Sequence, residues 1–86
     1  MKDGLTIDND GTKHWYINGK RHREDGPAIE EYGDKYWYLN DKLHRTDGPA
    51  VVRVDGTNGW CLNGIQVTME DVLTEQEAFW WRMKHE

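Results

Sequence analysis

Apolar and aromatic residues come in short bursts along the first two thirds of the chain, and each burst is closed by a turn dipeptide. His14-Trp15-Tyr16-Ile17 runs into Asn18-Gly19, Tyr36-Trp37-Tyr38-Leu39 into Asn40-Asp41, and Trp60-Cys61-Leu62 into Asn63-Gly64. Aromatic and β-branched residues ending at a dipeptide that tolerates positive φ predict strands closed by hairpin turns. Between these bursts, Ala28-Ile29-Glu30-Glu31-Tyr32 and Ala50-Val51-Val52-Arg53-Val54 start just after Gly-Pro. Proline cannot donate to a ladder, so it belongs at or just before a strand's first residue. The pattern predicts a mainly β fold: an antiparallel meander of repeated β-hairpins.

Alternation places Trp15 with Ile17, Trp37 with Leu39 and Trp60 with Leu62 on one face, and these pairs are assigned to the core. The other face receives His14 with Tyr16, Tyr36 with Tyr38, and Cys61, turned either to solvent or to a covering helix. Ala28 and Ala50 are expected to lie beside the indoles, small against large. A one-residue slip at Tyr32-Gly33-Asp34 would reverse the face that Ile29 joins, so the register stays open.

After Val67 the spacing becomes helical. Thr68-Met69-Glu70-Asp71 and Thr74-Glu75-Gln76-Glu77 each fit a capping-box start. Met69, Val72, Leu73, Gln76, Phe79, Trp80 and Met83 then fall on one stripe. This reads as one helix with a break point near Thr74, laid on the sheet as a C-terminal α-helical cap over its open apolar face. Residues 1–67 form the repeat sheet and 68–86 the helix, within a single domain. Trp81 lies about 140° from the stripe at 100° per residue. It is therefore expected to be exposed and to anchor a partner, unless the helix packs between two surfaces of its own chain.

The bursts are copies of one another. His22-Arg23-Glu24-Asp25-Gly26-Pro27-Ala28-Ile29 returns 22 residues later as His44-Arg45-Thr46-Asp47-Gly48-Pro49-Ala50-Val51. A third copy begins at Asp55-Gly56, supplies Trp60 to Gly64 and then stops, without a His-Arg-x-Asp-Gly-Pro. Ile7 and Asp8-Asn9-Asp10-Gly11 read as the tail of a preceding unit. Function is then sought on a surface of repeated units before a pocket.

Charge narrows the partners. The net charge of −5 is uneven: residues 1–10 carry −2, residues 11–53 carry +1 and residues 54–86 carry −4. Direct nucleic-acid binding and attraction to anionic lipid need a positive face and are not expected. No apolar run approaches the roughly 20 residues of a membrane span, and no signal peptide is read at the start. With one cysteine in 86 residues there is no disulfide framework, and a cytoplasmic protein is expected.

The His-Arg-x-Asp-Gly-Pro motif holds groups familiar from active sites, yet its repetition argues for structure. Successive units place His22 and His44 about 10 Å apart, too far to share a metal at roughly 2.1 Å each. The expected roles are local: Asp25 and Asp47 cap the turn, Gly26 and Gly48 take positive φ, and Arg23 and Arg45 pair with the aspartates. Cys61 has no sequence-adjacent base and is read as inert. No catalytic residue, metal ligand or cofactor is assigned. The candidate partner-binding residues are Trp81, Tyr16, Tyr36 and Tyr38, because exposed aromatics are favoured at protein interfaces.

The units Trp15 to Ala28 and Trp37 to Ala50 resemble the short hairpin repeats of MORN-like proteins. They are most similar to the W-Y-x-N-G-K-x-H-R-x-D-G-P-A arrays of phage-encoded small proteins and, more distantly, to YwqK-type antitoxins. The resemblance covers about residues 5–66, with Asp41 in place of the usual Gly and the Tyr-x-Gly-x-Trp core of ordinary MORN repeats missing. It implies a non-enzymatic scaffold whose partner varies between members. The resulting expectation is a protein-binding module that inhibits a host protein, in the form of a nucleic-acid-processing or defence enzyme. Its alternatives are a self-assembling repeat, with a homo-oligomer open, and an antitoxin-like neutraliser.

Overall fold

Four two-residue turns decide the architecture. Asn18-Gly19 (φ 51° and 76°), Tyr32-Gly33 (49° and 89°), Asn40-Asp41 (51° and 66°) and Asn63-Gly64 (50° and 82°) all place both residues in the left-handed region. That is the type I′ geometry whose twist matches paired strands. The computed structural model describes residues 3–85; Met1, Lys2 and Glu86, at the ends of the two expected segments, lie outside the described residues.

The described residues form ten strands and two helices. The strands are β1 (Gly4–Ile7), β2 (Lys13–Ile17), β3 (Lys20–Arg21), β4 (Ile29–Glu31), β5 (Asp34–Tyr36), β6 (Tyr38–Leu39), β7 (Lys42–Leu43), β8 (Val51–Val52), β9 (Asn58–Leu62) and β10 (Ile65–Val67). The helices are α1 (Met69–Val72) and α2 (Glu75–His85). Every pairing is antiparallel, in the order β1-β2-β4-β5-β8-β9-β10, with β3 on β2 and β6 on β7. The molecule extends 41 × 24 × 19 Å along the array. The mainly β hairpin meander with a C-terminal helix is thus the architecture of the chain.

At the first two repeated tryptophans the strand changes partner. The Trp15 N–H donates to the Ala28 carbonyl (2.8 Å), while its own carbonyl accepts from the His22 N–H (3.1 Å). Trp37 repeats this with Ala50 (2.7 Å) and His44 (3.0 Å). The first half of each aromatic segment therefore joins the Gly-Pro-Ala strand, and the second half folds into its own hairpin. Successive hairpins then line up side by side. Arg23 N–H donates to Tyr38 O and Asp41 N–H to Arg21 O, and Gly64 N–H donates to Leu43 O one unit on.

Register settles the face of Ile29. It lies opposite both His14 and Tyr36, and Tyr36 lies opposite Val51, so these four share one face. The other face carries Lys13, Glu30, Lys35, Val52 and Asn58 in cross-strand pairs, with Trp15 and Trp60 two residues along their strands. Opposite charges thus meet directly across Lys13, Glu30 and Lys35.

The core is not the single tryptophan face expected from alternation. Ile17 is 43% exposed, and Trp15, Trp37, Leu39 and Leu62 are only half-buried. The buried apolar residues lie mainly in two places, Ala28, Ala50 and Val51 in the sheet with Cys61 on β9, and Trp60, Leu73 and Ala78 under the helix, while Thr12 is buried just before β2. A strand that turns out of the sheet at each tryptophan cannot keep one face inward along its whole length. The alanines, each with no exposed surface, are small as expected at the crowded bend.

Both capping boxes form, and they give two helices. Thr68 Oγ1 accepts from Asp71 N–H while Asp71 accepts from Thr68 N–H, and Thr74 and Glu77 reciprocate in the same way. Leu73, with extended backbone, separates them. That break resets the helical phase and overturns the expected stripe: Ala78 and Trp81 face the sheet, while Phe79, Trp80 and Met83 are 56%, 54% and 59% exposed.

Candidate functional site: a furrow along the tryptophan face

The repeated motif builds a lid over each tryptophan. The Arg23 guanidinium lies 4.0 Å from the Trp15 ring centre, and that of Arg45 lies 3.8 Å from Trp37. Each is held in place twice more, by the aspartate two residues on (Nε to Asp25 3.1 Å, to Asp47 2.7 Å) and by the proline carbonyl (3.2 Å to Pro27, 3.1 Å to Pro49). The expected Arg–Asp pairing is present, but the roles of the glycine and aspartate change. Gly26 and Gly48 do not have positive φ. They are glycines because a Cβ would stand 2.9 Å from Arg23 Cζ or 2.7 Å from Arg45 Cζ. Asp25 and Asp47 hold the guanidinium instead of capping the turn.

The histidines couple neighbouring units. His22 Nδ1 accepts from the Asn40 backbone N–H at 3.0 Å, and His44 Nδ1 accepts from that of Asn63 at the same distance. An imidazole nitrogen that accepts an amide proton carries none itself, which fixes the Nε2–H tautomer. In His22 that edge faces Glu24 at 3.4 Å. Asp41 finds its reason here too: its carboxylate accepts from Arg21 N–H at 2.7 Å, bracing one hairpin on the next and offsetting a left-handed residue without glycine.

In the third unit there is no arginine for Trp60. Trp81 takes the place of the lid, meeting Trp60 edge-on with ring centres 5.2 Å apart. Ala78 lets the helix approach closely, and Leu73 completes the cluster. This corrects the expectation that Trp81 is exposed: the Leu73–Thr74 break rotates it inward, and Trp80 becomes the exposed indole.

Two hollows open between the lids. One, of about 540 Å³, lies between the loops around Glu24-Asp25 and Thr46-Asp47, floored by Trp37 and Leu39. The other, of about 390 Å³, lies between Pro49, Val52 and Asn58 on the sheet and Glu77, Trp80 and Lys84 on α2. Arg45 and Asp47 line both, so the two hollows lie next to each other on either side of that pair, a furrow interrupted at the Arg45 lid. Three carboxylates stand at its mouth, the side chains of Glu24, Asp25 and Asp47 being 81%, 87% and 81% exposed, whereas Arg23 and Arg45 are turned down onto their indoles and Lys84 faces the second hollow beside Glu77.

The tyrosines are elsewhere. Tyr16 stacks near His14 at 6.1 Å, Tyr36 lies opposite Ile29 and Val51, and Tyr38 is half-buried with Arg21 5.7 Å from its ring centre. All three are half-buried and none lines the furrow. Trp81 alone among the four sequence-assigned residues does so. Arg45 and Trp80 were missed, although the missing third arginine signalled that Trp60 needs another cover.

Cys61 is buried, and burial pushes its thiol up from the ordinary value, away from the nucleophilic thiolate. Among the described residues no three His, Cys, Asp or Glu side chains gather to hold a metal ion, and no helix is long and apolar enough to cross a membrane. No protein-family model, no characterised protein and no solved structure matches the chain.

Proposed function

We propose that the chain is a non-enzymatic binding module that seats an extended, basic segment of a partner protein in the furrow. The observation that carries this reading is the pair of adjoining hollows on either side of Arg45 and Asp47, with exposed carboxylates at their mouths, which offers an extended segment two successive places to rest. The motif's histidines and arginines are engaged inside the fold, whereas Asp25 and Asp47 each bond an arginine through one carboxylate oxygen and keep most of their side-chain surface exposed. Arginines or lysines of the partner would meet Glu24, Asp25 and Asp47, with Trp80 offering an aromatic face at one end.

Basic segments of that kind line the clefts of nucleic-acid-processing enzymes, so the module would act by occupying such a cleft in place of nucleic acid. The MORN-like, phage-type resemblance supports a host enzyme as the target and the host cytoplasm as the place. Capture from a host lysate with the wild-type chain and with the double variant Glu24→Lys/Asp47→Lys tests the reading. A stoichiometric protein held by the wild type, released by duplex DNA and lost with the double variant is the expected result. A captured protein indifferent to both DNA and the variant overturns it.

A further inference from the structure

The outward face of α2 holds a second surface. Gln76, Phe79, Trp80 and Met83 occupy spacings i, i+3, i+4 and i+7, an arc of about 100° at 100° per residue. It is opposite the arc that docks Ala78 and Trp81 on Trp60. This helix is apolar on both sides, and one side is uncovered.

We propose that the ridge is the interface of a homodimer in which α2 packs antiparallel against α2 of a second copy. The ridge reads nearly the same in both directions: an antiparallel pairing centred between Phe79 and Trp80 sets Phe79 against the other copy's Trp80 and Gln76 against its Met83. The flanking charges fit only that direction. On one flank lie Glu77 and Lys84, on the other Glu75 and Arg82, each with its acid toward the helix start and its base toward the end. A two-fold axis across the pair keeps each flank against its own kind, so Glu77 meets Lys84 and Glu75 meets Arg82, twice each. Parallel pairing would set acid beside acid and base beside base. Arg82 already bonds Glu70 at 2.7 Å, which holds its guanidinium on that flank.

The interface is small. Half-exposed aromatic side chains that bury about 150–250 Å² when fully covered leave the ridge roughly 300 Å² per copy, well under the roughly 800 Å² per partner of a stable complex. The dimer is therefore weak and concentration-dependent. Trp80, Glu77 and Lys84 belong to both the ridge and the furrow, whereas Phe79 and Met83 line neither hollow, so substitutions at these two test the dimer apart from the binding function.

Sedimentation velocity of the full chain up to about 1 mM, the range of weak association, should show the mass doubling with concentration. Phe79→Glu/Met83→Glu should stay monomeric with unchanged far-ultraviolet circular dichroism, while still capturing any furrow partner. A second experiment fixes the direction. Chains carrying Glu75→Cys and Arg82→Cys, oxidised together, should cross-link as a mixed pair, and neither should cross-link alone. A wild-type chain that stays monomeric, a double glutamate variant that still dimerises, or cross-linking of either cysteine variant with itself in place of the mixture overturns the proposal.

Discussion

Trp37 and Trp60 hold equivalent positions in the second and third units but are covered by different chemistry. Trp37 lies beneath a guanidinium that its own unit supplies seven residues after the histidine-bearing hairpin begins, fixed by Asp47 and Pro49. Trp60 lies beneath another indole from a helix more than twenty residues away in sequence, and is 9% exposed. The local lid keeps a charge at the surface and leaves its tryptophan half-open, so it can be repeated indefinitely. The remote lid excludes water and can be used only once, because the helix that carries it closes the array. The difference shows how one scaffold separates repetition from termination.

The comparison breaks most sharply at Trp81. Trp81→Ala removes the cover of Trp60 and the main contact of α2, and should cost about 3 kcal/mol. Chemical denaturation followed by intrinsic fluorescence measures it, and a cost below that of the arginine lids would show that α2 docks by other means. Arg45→Ala should cost less, about 1–2 kcal/mol from the cation–π contact and the bond to the Pro49 carbonyl. Gly48→Ala should cost less again, a fraction of that loss, since its Cβ pushes on the far end of the flexible Arg45 side chain without deleting it. If Gly48→Ala proves neutral, the guanidinium finds room to move and the lid is looser than its three contacts imply.

The smallest effect is at the helix start. Hydrogen bonds from Thr68 hold the Asp71 carboxyl below its ordinary value of 3.8. Its stabilising contribution is complete above that value and is lost as the pH falls through the lower folded value. Helical circular dichroism should therefore decline in strong acid, and Asp71→Asn should flatten that part of the titration. The aromatic contact of Trp81 on Trp60 carries no titrating group and should outlast it.

Much of this was legible in the residues. Turn dipeptides, Gly-Pro starts and both capping boxes announced the hairpins and helices, because each is a local device whose partners lie within a few positions. What escaped notice depends on contacts between units. The change of partner at Trp15 and Trp37 is invisible to a period-2 reading, which assumes that one strand keeps one sheet. The inward turn of Trp81 depends on where Leu73 breaks the helix, since a break of one residue rotates everything after it by about 100°. Gly26 and Gly48 looked like positive-φ glycines because no sequence rule reports a guanidinium folded back over the turn. The furrow was illegible for the same reason: Arg45 belongs to one unit, Trp80 to the helix, and only packing brings them to one hollow.

The bonds from Asn40 to His22 and from Asn63 to His44 have a consequence for the length of the molecule. Each unit presents an acceptor that the next unit's turn fills, so the array has a sender and a receiver at every junction. In the third unit Val67 stands seven residues after Trp60, where His22 and His44 stand after their tryptophans, and the chain of handovers stops. Length is thereby a modular variable with a fixed end: a further 22-residue unit inserted ahead of Asp55 would bring its own sender and receiver and leave the terminal junction untouched. Such an insertion adds one more arginine lid and one more hollow to the tryptophan face without redesigning a single contact.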